Sequence, residues 1–419
     1  MNIEIERPRK RLTIVSPLPP RRSGIASYIV ELLPHLAKRY SVTIVVESRD
    51  DIVDCPGCCV VSADDEELAS IFEDSAILYQ LANNPDHEFV YRLCVRYPGI
   101  VVLHEFVLHH LIESLTLGRG RPDGYFRILE REYGPSGLVL ARLRQIGYFC
   151  ENQKFLMPLC KHVVRRAKSV IVHNEYCARR LGWPFDRHIM VCPHHLSPLA
   201  LEHGAKHTKE EARRALGLEQ NRSLMLSLGF VTRPKRADIV LRALGHLKAL
   251  GHDFVYMLVG HCGEKRWIES LVTEFHLEDN VRMVDYVEED DFFQYIAASD
   301  IVINLRFPSA GESSGTLTRA MGMGTACVVF DYGPMGEFPD DIVVKVKFVR
   351  DERLLAFRLA HRLEEHIINP DLRHNLAIRA RDYVRSHCTI DKTLEVYDLA
   401  IMRMLDDGEE FQIIEDVEV

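Results

Sequence analysis

Twice along this chain, short apolar runs alternate with longer stretches of helical periodicity, and that repetition constrains the fold more than any single motif. The first cycle opens at Leu12–Val15 and breaks at SPLPPRRSG. From Gly24 it continues with Ile25, Tyr28, Ile29, Leu32, Leu33 and Leu36 on one helical face. Further strands are expected at Val42–Val46, Ile77–Leu81, Gly99–Leu103 and Ser169–His173, with residues 106–166 mainly helical. The pattern restarts after CPHHLSPLALEHG. Leu224–Leu228, Phe254–Val259, Val281–Val284, Ile301–Asn304 and Ala326–Phe330 read as strands, and helical segments near 352–368, 371–386 and 390–405 close the chain. Strands alternating with helices favour a parallel sheet covered on both faces. The reading is an α/β chain of two doubly wound, Rossmann-like domains, 1–200 and 201–388, followed by a helix and acidic tail at 389–419. Open parallel sheets bind ligands beyond the carboxyl ends of their strands, so two such domains facing each other are expected to hold a ligand in the cleft between them.

Composition narrows the class. The start, MNIEIERPRKRLTIVS, has no apolar signal-peptide core, and no run reaches the roughly 18 apolar residues of a membrane span. Eleven scattered cysteines fit reduced thiols, and a cytoplasmic protein is expected. Residues 1–200 carry 25 Lys and Arg against 23 Asp and Glu, whereas 201–419 carry 27 against 38. The basic residues of the first half include Arg7, Arg9, Lys10 and Arg11, then Lys161, Arg165 and Arg166. That asymmetry suits either ordinary solvated faces or a first half resting on anionic lipid, at the inner face of a membrane. The acidic total disfavours nucleic acid as a partner.

Four segments carry residues suited to chemistry. In SPLPPRRSGIASY, Ser23 and Gly24 sit where a strand passes into a helix, a place that offers free N–H groups to an anion. In VVLHEFVLHH, His104 directly follows a strand, so its imidazole stands at a carboxyl edge, able to donate to a substrate hydroxyl or accept its proton. The string is not the zinc motif His-Glu-x-x-His, because Leu108 occupies the second histidine's place. In SLGFVTRPKRAD, Gly229 is followed by Arg233, Lys235 and Arg236 at a helix start, where cations oppose the helix dipole unless they hold an anion. In RFPSAGESSGTLTRAMGMG, Ser313, Ser314, Gly315 and Thr316 open a short helix with backbone donors and hydroxyls suited to a phosphate, and Glu312 stands beside them. A sugar-binding carboxylate and an N-terminal cap are the two readings of Glu312. CPGCC lacks the second half of a zinc site, and no metal is expected. The acidic pairs Asp290–Asp291 and Asp340–Asp341 read as solvated loops.

In this order the segments resemble the retaining glycosyltransferases of family 4, which have the GT-B fold. YQLANNPDH, VLHEFVLHH, VIVHNEY, CPHH, GFVTRPKR, DYVEEDD, ASDIVINL and the GESSG block extend the resemblance over nearly the whole chain. It implies an enzyme that moves a hexosyl group from a nucleotide-diphosphate sugar to a glycan, lipid-linked or small-molecule acceptor, as in polysaccharide biosynthesis, without a cofactor or obligatory metal. By the same resemblance Ser23 and Gly24 approach the donor phosphates and His104 contacts the sugar or acceptor. Lys235, Arg236 and residues 313–316 hold the diphosphate, Gly229 and Val287 meet the base by their backbone, and Glu312 is the first acid of the family's E-x7-E signature. The final helix is implied to cross back onto the first domain. The chain departs from the family at two points. Phe230 follows Gly229 where an arginine is usual, and the second glutamate is missing, its place falling on Arg319 or Ala320. Those departures leave a non-catalytic sugar-nucleotide-binding or scaffold subunit, or a GT-B phosphorylase or epimerase, as alternatives.

Overall fold

The computed structural model describes residues 9–21, 23–51, 53–182, 189–206 and 208–406. Arg7 and the acidic tail lie outside the described residues. Contacts divide the chain into two units. The first draws on Met1–Pro193, Ala310–Ser313 and Ile390–Val419, and the second on His194–Ser309 and Ser314–Thr389.

The first unit is built on seven parallel strands: β1 (Arg11–Val15), β2 (Ser41–Val46), β3 (Cys58–Ser62), β4 (Ala76–Leu81), β5 (Ile100–Leu103), β6 (Ser169–Val172) and β7 (Ile189–Val191). Their order is β3-β2-β1-β4-β5-β6-β7, so the topology switches direction between β1 and β4. Side-chain alternation assigns the two faces. Leu12, Ile14, Ala76, Leu78, Ile100 and Val102 pack with Tyr28, Ile29 and Leu32 of the helix Gly24–Arg39 and with Leu394 and Tyr397 of the helix Ile390–Asp406. Val15, Ile77, Tyr79, Val101 and Leu103 turn the other way, onto Tyr91, Leu111, Tyr125 and Leu129 of the helices that follow β4 and β5. Those central strands are buried on both faces, which is why they read as apolar runs broken only by Thr13 in β1 and Gln80 in β4.

Six parallel strands form the second unit: β8 (Ser223–Leu228), β9 (Phe254–Val259), β10 (Val281–Val284), β11 (Ile301–Ile303), β12 (Ala326–Asp331) and β13 (Val344–Lys347). The order β10-β9-β8-β11-β12-β13 places its switch point between β8 and β11. Ile239, Val240, Leu244 and Leu247 of the helix Ala237–Ala249 cover one face together with the helix Glu352–Ile368. Phe293, Leu317, Met321 and Val384 cover the other. One buried charge ties the amino ends of these strands. Asp300 accepts from the Leu224 N–H at 2.8 Å and from Arg213 at 2.6 Å through Oδ2, and it binds Lys209 at 2.8 Å and Arg373 at 3.4 Å through Oδ1. Burial pushes its carboxyl up, but the Lys209 and Leu224 hydrogen bonds and the charges of Lys209 and Arg213 outweigh that and hold it below its ordinary value.

Both units are the doubly wound kind and the chain has the GT-B fold. Among the described residues no helix is long and apolar enough to cross a membrane.

Candidate functional site

In the first unit the reactive side chains collect at the carboxyl ends of β4, β5 and β6. His104 follows β5 immediately, and its backbone N–H donates to Leu81 O at 3.0 Å, which extends the sheet by one residue. Only 9 % of His104 is exposed. Its Nε2 lies 2.7 Å from Gln80 Oε1 on β4, and its Nδ1 lies 3.1 Å from Nε2 of His173, the residue that follows β6. Nδ1 of His173 donates to Cys192 O at 2.8 Å. The Tyr28 ring stands edge-on to both imidazoles, at 5.2 Å and 5.3 Å between centroids. Both ring nitrogens of His104 thus face protein groups.

Glu312 belongs to this unit as well. The short piece Ala310–Ser313 is held by the Phe106 N–H on Ala310 O at 2.9 Å, and by Asn174 Nδ2 and Cys177 Sγ, each 2.9 Å from Gly311 O. Gly311 has φ +90°, and a Cβ there would fall 2.4 Å from the Phe106 ring and 2.5 Å from Cys177 Sγ, so only glycine fits. Ser313 Oγ donates to His173 O at 3.3 Å and accepts from Asn174 Nδ2 at 3.1 Å. Glu312 Oε2 accepts from the Ala310 N–H at 2.8 Å. The cap of the following helix is not Glu312 but Ser314, whose Oγ accepts from the Leu317 N–H at 3.2 Å. Ser23 plays the corresponding part at the first helix, accepting from the Ile25 N–H at 3.2 Å. Gly24 is that helix's first residue, with open space where a Cβ would lie. Arg21 of the same loop is shared among Glu47, Asp51 and Asp86.

In the second unit the candidate residues gather at the switch point. A small cavity there is lined by Ser227, Leu228, Gly229, Lys235, Asn304 and Leu305 among others. Lys235 Nζ donates to Leu228 O at 2.7 Å and lies 3.0 Å from where a Cβ of Gly229 would stand. Gly229 has φ +82°. Asn304 Oδ1 accepts from Ser314 Oγ at 3.2 Å, which joins this cavity to the start of the helix Gly315–Gly322. At that start, His194 Nε2 is 3.0 Å and Arg319 Nη1 3.3 Å from the position a Gly315 Cβ would take. Thr316 follows, half-buried in the first turn. The Glu289 carboxylate is 3.8 Å from Arg319. Lys235 thus stands beside Gly229, while a guanidinium, an imidazole and the positive end of a helix dipole gather at Gly315; Asn304 and Ser314 connect the two places, and each is suited to an anion.

Two other basic residues are engaged elsewhere. Arg236, left-handed at φ +54°, directs its guanidinium to Asp238 at 2.8 Å and Glu352 at 2.6 Å. Arg233 is paired with Glu264 at 2.5 Å and lies 3.8 Å over the Trp267 ring. The side chain of Val287 packs on the core of this unit.

This pairing of a doubly wound unit with a basic switch point coincides with a known sequence family. Residues 208–383 match the glycosyl transferases group 1 family. Solved structures extend the likeness over nearly the whole chain. Sucrose-phosphate synthase from Thermosynechococcus elongatus is 17% identical with a TM-score of 0.66, covering 96% of this chain and 100% of its own. WaaG, a glycosyltransferase involved in lipopolysaccharide biosynthesis, is 14% identical with a TM-score of 0.62, covering 93% and 99%. HepE of Anabaena, solved in complex with UDP-glucose, is 14% identical with a TM-score of 0.61, covering 93% and 98%. At such identities the likeness shows the fold. No curated protein matches the chain in sequence.

Sequence reasoning passed over Gln80, His173 and Tyr397 in the first unit and His194 in the second. Gln80 and His173 lie in segments that carry the family resemblance, YQLANNPDH and VIVHNEY, and the chance to find them was there. Tyr397 reads only as one more apolar position of a helix.

Proposed function

We propose that the chain is a retaining family 4 glycosyltransferase that moves a hexosyl group from a nucleotide-diphosphate sugar to a glycan, lipid-linked or small-molecule acceptor. The observation that carries this reading is the basic cradle of the second unit: Lys235 beside Gly229, linked through Asn304 and Ser314 to a helix start flanked by His194 and Arg319. A diphosphate matches its charge and its free backbone donors. UDP-glucose, the ligand of HepE, exemplifies the donor class.

In this reading the bond from the anomeric carbon to the diphosphate oxygen breaks, and a bond from that carbon to an acceptor oxygen forms. The acceptor's proton leaves with the diphosphate. His104 and Glu312 orient the sugar, while Lys235 and the amides of 313–316 stabilise the charge that develops on the leaving group. Ser23 and Gly24 offer further donors to the phosphates, and the backbones of Gly229 and Val287 meet the base. With Arg236 bound to Asp238 and Glu352, its part is to shape the loop around Lys235. The protein works in the cytoplasm, with the basic face of its first half against anionic lipid when the acceptor is lipid-linked.

Because the cradle supplies its own positive field, UDP, GDP or ADP binds in the presence of chelator. Titration calorimetry checks this, and the absence of binding by all three contradicts the reading. A second reading, a sugar-nucleotide-binding subunit without turnover, is favoured by Arg319 standing near the place of the missing glutamate; binding without transfer from any donor selects it.

A further inference from the structure

The groups around His104 form one continuous chain of hydrogen bonds inside the first unit. From one end it runs Tyr28 Oη, Tyr397 Oη, Gln80 amide, His104, His173 and Cys192 O. The successive distances are 3.1 Å, 3.3 Å, 2.7 Å, 3.1 Å and 2.8 Å. Each step constrains the next. Cys192 O can only accept, so Nδ1 of His173 carries a proton. In a neutral His173 its Nε2 is then a bare acceptor, and the His104 Nδ1 that faces it must be N–H. A neutral His104 with Nδ1–H has a bare Nε2. That bare nitrogen faces the Gln80 amide, and a carbonyl oxygen there would set two lone pairs together at 2.7 Å.

Two kinds of arrangement remove the conflict. Either a second proton enters the histidine pair, on His104 or on His173, and His104 Nε2–H donates to Gln80 Oε1, or the amide is turned end for end, which leaves its heavy-atom positions unchanged. In the second arrangement Gln80 Nε2 donates to His104, Tyr397 donates to Gln80 Oε1, and Tyr28 donates to Tyr397. Every contact along the chain then pairs a donor with an acceptor, with no net charge. Both arrangements satisfy the hydrogen bonds, so burial decides between them. His104 is 9 % exposed, and rings of Tyr28 and His173 flank it. His173 is buried as well. An imidazolium at either ring loses its hydration, a cost that the uncharged arrangement does not carry. The tyrosines are suited to donate, because burial raises the pKa of both Tyr28 and Tyr397 and keeps them protonated. Gln80 is also anchored by its own carbonyl, which accepts from Nδ1 of His87 at 2.8 Å.

We propose that this chain holds His104 neutral, as the Nδ1–H tautomer, and that Gln80, His173 and Tyr397 are positioning residues for glycosyl transfer. With both nitrogens committed, His104 takes no proton from substrate; it presents a fixed ring edge against which the sugar is oriented. The helix Ile390–Asp406 takes part in the site through Tyr397, which is fully buried. The role in transfer rests on the function proposed above, whereas the tautomer does not.

Two near-isosteric variants separate the claims. Gln80→Glu replaces the amide by a group that only accepts, and so forces a proton onto His104 Nε2. Tyr397→Phe removes the donor that fixes the amide's direction. Two-bond proton–nitrogen correlation on 15N-histidine protein, with His104 assigned by difference from His104→Gln, reads the tautomer directly. The expected wild-type pattern is one protonated and one bare nitrogen, Nδ1 being the protonated one; Gln80→Glu shows both protonated. A doubly protonated or Nε2–H His104 in the wild type overturns the proposal, whether or not a donor is ever turned over. With a donor in hand, each variant is expected to lower kcat about tenfold or more while KM changes less than about twofold, in protein whose circular dichroism shows it folded at the assay temperature. Unchanged kcat in both variants overturns the positioning role, even where the tautomer is as stated.

Discussion

Glu312 carries the sharpest residue-level distinction. It accepts from the Ala310 N–H two residues back, while Ser314 caps the helix, so removing its side chain does not take away a helix cap. Glu312→Ala is expected to cost about 1 kcal/mol of stability or less and to abolish transfer, read by urea unfolding beside a turnover assay. A destabilised but fully active variant contradicts its assignment. Lys235→Ala is expected to weaken nucleoside diphosphate binding by about tenfold or more, the loss of one charge-assisted contact, without disturbing the sheet. Calorimetry reads it, and unchanged affinity places the phosphates elsewhere. Both residues were legible because each lies in a polar loop between a strand and a helix, Lys235 after β8 and Glu312 after β11. Tyr397 was not, because it lies inside a helix, where periodicity records burial but not the partner of a polar atom.

Among the elements, the central strands and one edge, β10, were readable, and the other three edges were not. β1, β2, β4, β5, β6, β8, β9, β10, β11 and β12 lie within a residue or so of where apolar runs place them. The three strands that escaped notice, β3, β7 and β13, are all edges of their sheets. β13 reads VKVK, and β3 begins inside CPGCC, because an edge strand is less covered and tolerates polar or turn-like residues. Buried histidines give the elements a pH signature. His87 before the helix Glu88–Arg96 and His109 at the start of His109–Leu115 are each driven by burial to about 4. Their folded values lie below the unfolded value of about 6.5, so the unfolded chain binds more protons, and the stability they contribute is present above pH 6.5 and lost as pH falls toward 4. Moving from pH 7 to pH 5 is expected to remove on the order of 1–2 kcal/mol for each from the first unit. Urea midpoints followed by a first-unit probe check this, and a midpoint that does not move contradicts neutral burial. In the second unit, Asp300→Ala leaves Arg213 buried without its carboxylate, and a loss of about 3–5 kcal/mol is expected. Chemical unfolding of that variant reads the loss.

At the scale of the whole molecule, two doubly wound sheets, the group 1 family match at 208–383 and the GT-B relatives agree on architecture. The alternation of strand and helix made that architecture legible, because a chain that must bury both faces of a parallel sheet has little choice of pattern. Donor and acceptor identity were not legible, since they depend on which few polar atoms line a pocket and not on periodicity. Arg319 illustrates that point: it brings a guanidinium to the start of the helix Gly315–Gly322 with the fold unchanged. The most direct measurement is mass spectrometry of the purified protein with a panel of nucleotide-diphosphate sugars and a mixture of glycan, lipid-linked and small-molecule acceptors. The account predicts that at least one donor releases its nucleoside diphosphate, with the sugar's mass appearing on an acceptor. A panel in which nucleoside diphosphates bind but no sugar is transferred or released contradicts it and leaves a binding subunit in its place.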